Sequence, residues 1–205
     1  MRVHIWLIAA AAVAGAGAAC NRGRDKGSET TTTSTAGGDA ALPMTPGAES
    51  ALADARIFGV LSELNMGEIQ AAKLAVDKAA SAPVKSFARS MISDHAKMLN
   101  KGDSLATALQ ITPQPPRSDS VAAHGQSEHA SLDAAAPGAA FDKVYMDAQV
   151  QDHQETLALL QQLEGQTQNA QVKSLLDGAI PIVQGHLARA KRIDRQVAGA
   201  TPTQS

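Results

Sequence analysis

The chain has 205 residues, of which 44% are hydrophobic, 19% charged and 2% aromatic, and its formal net charge is -2. About one residue in five is alanine, and three Phe, one Trp and one Tyr are the whole aromatic complement. This excludes a β-sandwich or barrel, which needs β-branched and aromatic side chains, and a nucleic-acid binder, which needs a basic surface; the single Cys excludes an internal disulfide framework.

The first twenty residues read as a signal peptide. Arg2 supplies the positive start, Ile5 to Ala14 an apolar run too short for a permanent span, and small residues lead to Cys20. A bacterial lipoprotein signal places its acylated residue where Cys20 stands, after Gly17-Ala18-Ala19, although Gly17 replaces the usual aliphatic. The alternative is ordinary cleavage near Ala19, which leaves a free thiol. With Cys20 lipidated, the partner is a membrane. Asn21 rather than Asp then points to an outer-membrane lipoprotein facing the periplasm. From Asn21 the chain is rich in Gly, Ser, Thr and Asp, with a run from Thr30 to Thr33. Such a segment buries too little apolar surface to offset its ordering entropy. Residues 21–50 read as a flexible tether, residues 51–198 as the folded domain and 199–205 as a tail.

Four helical runs follow. Helix 1 covers about Glu49 to Ala80, with a seam of Ile57, Leu61, Leu64, Glu68, Ala71 and Ala75. Helix 2 begins after Ser81, an N-cap with Pro83 in the first turn. Its seam is Val84, Ala88, Met91, His95, Met98, Gly102, Leu105 and Leu109. Helix 3 opens near Gly138 and carries Ala139, Asp142, Met146, Val150, His153, Leu157 and Leu160. Helix 4 starts near Asn169 and carries Val172, Leu176, Ala179, Val183, His186, Ala190, Ile193 and Val197. Stripes stepping by alternate threes and fours predict an all-α four-helix bundle. Short turns join helices 1 and 2, and 3 and 4. Thr112 to Pro137 is a long crossover with room for a short helix over Ser127 to Ala135. A crossover between two helical hairpins is the ferritin-like arrangement.

Each stripe is interrupted by one polar residue: Glu68, His95, His153 and His186, with Asp142 a fifth. Counted from the turn at Ala80, Glu68 lies ~18 Å down and His95 ~20 Å, so they match in height. His153 lies ~17 Å and His186 ~24 Å from their own turn, which matches less well. Imidazole and carboxylate together suit a transition metal, with Zn, Cu and Fe the candidates; the alternative is a buried network that fixes register. Met91 and Met98 flank His95 on one helical face and offer soft ligands for Cu(I), or ordinary core filling. Asp142 joins them as a residue of the surroundings. Glu-x-x-His, the spacing of di-iron bundles, is absent from the seam. Asp94 and Asp152 each precede a seam His and are expected to be solvated, as are His124 and His129 in the crossover.

Phe87-Ala88-Arg89-Ser90-Met91-Ile92-Ser93-Asp94-His95, then Phe141-Asp142-Lys143-Val144-Tyr145 with Asp152-His153, then Ile180-Pro181 and His186-Leu187 resemble one bacterial family. It is a ferritin-like family of unknown function among exported and outer-membrane proteins, and the resemblance spans about Ala51 to Val197. It implies a helical bundle in the cell envelope, includes the Glu carried here by Glu68, and implies no established reaction. Met91-x3-His95-x2-Met98 also resembles an envelope family linked to copper, whose doubled His is absent here. The expected function is therefore a membrane-tethered bundle that binds a transition metal without catalysis. The rivals are a ferritin-like oxidoreductase of oxidative or metal stress and a metal-free interaction module.

Overall fold

The structure, a computed structural model, describes residues 45–115 and 120–199. The signal segment, Cys20, most of the tether and the tail beyond Gly199 lie outside the described residues. Within them the protein is all-α: α1 Pro46–Lys78, α2 Ala82–Ala108, α3 Ser120–Ala134, α4 Ala139–Glu164 and α5 Ala170–Gly199. No helix among the described residues is long and apolar enough to cross a membrane.

Local chemistry sets the boundaries. Thr45 caps α1 by accepting from the Ala48 amide at 3.4 Å, and Pro46 follows at the first helical position, where a missing N–H costs nothing. Ser81 caps α2 in the same way through Val84, with Pro83 in its first turn. α2 ends in a reciprocal pair of bonds, Ile111 N to Ala106 O at 2.9 Å and Gln110 N to Thr107 O at 3.0 Å. This Schellman closure places Gln110 in the left-handed region, at φ 57°. The chain then crosses α1, where Gln114 N donates to Ala55 O at 2.8 Å. Gly59 makes that approach possible, because a Cβ there would lie 1.6 Å from Gln114 O.

The crossover helix α3 is longer than the expected Ser127–Ala135 segment and begins seven residues earlier. It lies against α1 and α4. Its end is held by Lys78, whose Nζ reaches Leu132 O at 3.2 Å and also the Asp133 carbonyl. Gly138, at φ 110°, opens α4 and donates to Lys78 O at 2.9 Å. Asn169 caps α5 through the amides of Gln171 and Val172. Pro181 sits inside α5 without ending it.

α1 packs along α2 and α4 along α5, while α2 meets α5 and α1 meets α4. Two apolar clusters fill the interior. One, near the α1–α2 turn, gathers Ala72, Ala75, Phe87, Met91, Tyr145 and Ile193. The other gathers Ile57, Phe58, Ala106, Leu160, Val172 and Val183. On each of α1, α2, α4 and α5 buried polar residues fall between the two clusters: Asn65 and Glu68, His95, Gln149 and His153, and His186, whereas buried Asp54 and Asp142 lie nearer the ends of α1 and α4. A polar layer thus divides the core. Arg189 pins α5 to α2 beside this layer, donating to Ser90 Oγ at 2.8 Å and Ser86 Oγ at 3.0 Å and lying over the Phe87 ring.

Candidate metal centre

Three of the expected seam residues converge. The rings of His95, His153 and His186 stand 5.4, 5.5 and 5.9 Å apart, centroid to centroid. Each offers a nitrogen, and these nitrogens all lie within 4.8 Å of one another. His186 joins the group despite its apparent offset along the chain. Counting from the turn assumed that both helices start level, which the connection over residues 165–169 does not require.

The outward nitrogen of each ring faces an oxygen. His95 Nδ1 is 2.9 Å from Asn65 Oδ1, and Asn65 Nδ2 donates to Leu61 O at 2.7 Å. That second bond identifies the amide oxygen, so His95 Nδ1 carries the proton and Nε2 keeps a lone pair. His186 Nε2 donates to Asp94 Oδ2 at 3.2 Å, which leaves Nδ1 bare. His153 Nδ1 faces Glu68 Oε1 at 3.5 Å, a longer contact. His95 Nε2, both ring nitrogens of His153 and His186 Nδ1 are all buried and have no hydrogen-bond partner. Buried polar atoms without partners are rare enough to require a reason. A metal ion supplies one: three neutral imidazoles converge, and His95 and His186 are each oriented by an acceptor on the other side. Tetrahedral coordination at ~2.0–2.1 Å wants donors ~3.3 Å apart, so closure asks each ring to move by under ~1 Å.

Electrostatics keep the lone pairs available. Burial, then the neighbouring His153 and His186, pushes His95 down to about 3. Burial pushes His153 down to about 4 and lowers His186. Glu68 moves the other way, raised to about 7 by burial despite the bond from Gln149 Nε2 to its Oε2 at 2.8 Å.

The other expected site residues are placed differently. Glu68 is buried but stands behind His153, not among the converging nitrogens. Asp142 stands apart from the three rings. Its two oxygens accept from the Ala80 and Ser81 amides, each at 2.9 Å, and staple the α1–α2 turn. It lies eleven residues before His153, about 16 Å along α4. Met91 is buried in the apolar cluster with Phe87 and Tyr145, and Met98 lines a small cavity of about 60 Å³ with Leu61, Leu64 and Val183. Both therefore sit among apolar side chains as core filling does. Asp94 and Asp152, expected in solvent, bond across to α5 and α3: Asp94 to His186, and Asp152 Oδ1 to His124 Nε2 at 2.7 Å. The turn of ~100° between neighbours on a helix aims each at the next helix rather than at the layer. His124 and His129 are exposed as expected, although His124 is paired.

Sequence reasoning missed Asn65 and Gln149. The signal was present, since Asn65 is three residues before Glu68 and Gln149 four before His153, spacings that share a helix face.

A family model described as a domain of unknown function (DUF4142) matches residues 39–193. A solved structure titled "CopM in the Cu(II)-bound form" is similar in fold, with a TM-score of 0.57 and 16% identity, covering 70% of this chain and 96% of that one. No curated protein matches.

Proposed function

The chain belongs to the DUF4142 family, and from that premise we propose that it is a ferritin-like four-helix bundle of the cell envelope that binds copper without catalysis. His95, His153 and His186 are the ligands, and Asn65, Glu68 and Asp94 orient them. The observation that carries this reading is that three neighbouring imidazoles each have a buried, unpartnered nitrogen, with donor nitrogens of the three within 4.8 Å of one another. Among imidazole-binding metals copper has the added support of the copper-bound structural neighbour. Imidazoles bind Zn as well, so zinc is the competing occupant. The oxidoreductase reading is less well supported, because di-iron bundles draw their ligands largely from carboxylates, and here carboxylates stand behind imidazoles.

In the same proposal the bundle is delivered by residues 1–20 and held at a membrane through acylated Cys20, with the low-complexity segment that follows it as the tether. The support is the sequence pattern alone.

The test is copper loading followed by metal analysis and electron paramagnetic resonance. The expected result is nitrogen superhyperfine coupling from several imidazoles in the wild type, lost in His153→Ala and His186→Ala. The thermal midpoint of the wild type should rise with copper as RT ln(1 + [L]/Kd). A folded wild type whose spectrum lacks nitrogen coupling and whose midpoint ignores Cu and Zn leaves the layer as a register-fixing network.

A further inference from the structure

A second group of metal-ligating side chains lies outside the histidine layer. On α3, His124 and Glu128 are one helical turn apart; on α4, Asp152 and Glu155 are one turn apart. The two pairs face each other across a cleft of about 330 Å³, whose lining includes all four and Glu68. His124, Asp152 and Glu155 each bring a donor atom within 4.8 Å of the others'. His124 Nε2 to Asp152 Oδ1, at 2.7 Å, is the one contact that partly neutralises the group.

We propose that this cleft is a second divalent-cation site, with His124, Asp152 and Glu155 as ligands and Glu128 completing the shell. It is separate from the three-histidine layer and does not rest on it.

One observation beyond proximity supports the assignment. Asp152 Oδ2 and Glu128 Oε1 are buried without any hydrogen-bond partner, so each leaves a desolvated acceptor that a cation would satisfy. The donor set identifies the class of ion. One imidazole and several carboxylates suit Zn²⁺ or Mn²⁺ over the soft Cu(I). Glu68 is the residue common to both places, lining the cleft while its Oε1 lies 3.5 Å from His153 Nδ1.

The experiment titrates the full chain with Zn²⁺ and counts bound ions by calorimetry and metal analysis. The wild type is compared with His124→Ala/Glu155→Gln, both exposed positions whose loss leaves the core intact, and with His129→Ala as a surface-histidine control. Two ions falling to one in the double variant supports the site, with the inner triad filled as well. One ion falling to none supports the cleft and refutes the inner triad for zinc. Glu128→Gln should weaken the cleft ion by ~10–100-fold. An unchanged count in the double variant, whether one, two or none, overturns the proposal. So does an equal loss in His129→Ala, which would mark unspecific surface binding.

Discussion

Asn65 decides which nitrogen of His95 is free. Its amide nitrogen is committed to Leu61 O at 2.7 Å, so its oxygen must be the atom 2.9 Å from His95 Nδ1. The bond holds the proton on the outer side of the ring and points the Nε2 lone pair toward His153 and His186. Asn65→Leu should therefore weaken metal binding by ~10–100-fold, the usual cost of losing an orienting partner. Asn65→Asp keeps an acceptor and should retain most of the affinity. Competition against a chelator of known strength reads both. Equal affinity in wild type and Asn65→Leu would remove the orienting role.

Acid should unfold the metal-free protein through its histidines. His95 and His153 have folded values of about 3 and about 4 against an ordinary 6.5. The unfolded chain therefore binds more protons in that window, and stability is lost as pH falls below 6.5. Glu68 acts with the opposite sign. Its folded value of about 7 against 4.5 means that its contribution fades as pH rises through 7. Glu68→Gln should match the wild type near pH 4 and exceed it by up to about 3 kcal/mol at pH 8. Urea unfolding across that range tests both signs, and a constant difference between the two proteins would contradict the buried carboxylate.

Gly59→Ala should destabilise by about 1–3 kcal/mol, because its Cβ would meet Gln114 O and lift the crossover from α1. Gly102→Ala is the control. Nothing lies within 4 Å of a Cβ there, so the change should stabilise α2 by up to about 1 kcal/mol. Thermal midpoints of the two variants should move in opposite directions.

Asp142→Ala should cost about 1–3 kcal/mol by leaving the Ala80 and Ser81 amides without their acceptor. Metal affinity should stay within a factor of two or so, since the staple lies about three turns from His153. A large loss of affinity at unchanged stability would return Asp142 to the metal centre.

Much of the fold was legible along the chain. Spacings of three and four marked the four long helices, and Ser81, Pro83 and Asn169 marked starts that the structure keeps. The same spacing put Glu68, Asp142, His95, His153 and His186 inside, and all five are buried. A helix buries one stripe, so a polar residue on that stripe is committed to the interior by its own neighbours in sequence. The tertiary structure alone decided what those residues meet. Register and rotation between helices depend on connections such as residues 165–169 and on contacts such as Arg189 with Ser86 and Ser90. These set His186 level with His95, put Glu68 behind His153, and carried Asp142 to a turn. They also turned Asp94 and Asp152, which one-helix periodicity assigns to solvent, onto partners in α5 and α3. Periodicity describes the environment of a helix averaged over its face, whereas a ligand nitrogen is freed by one atom on a neighbouring side chain, within a hydrogen bond's length.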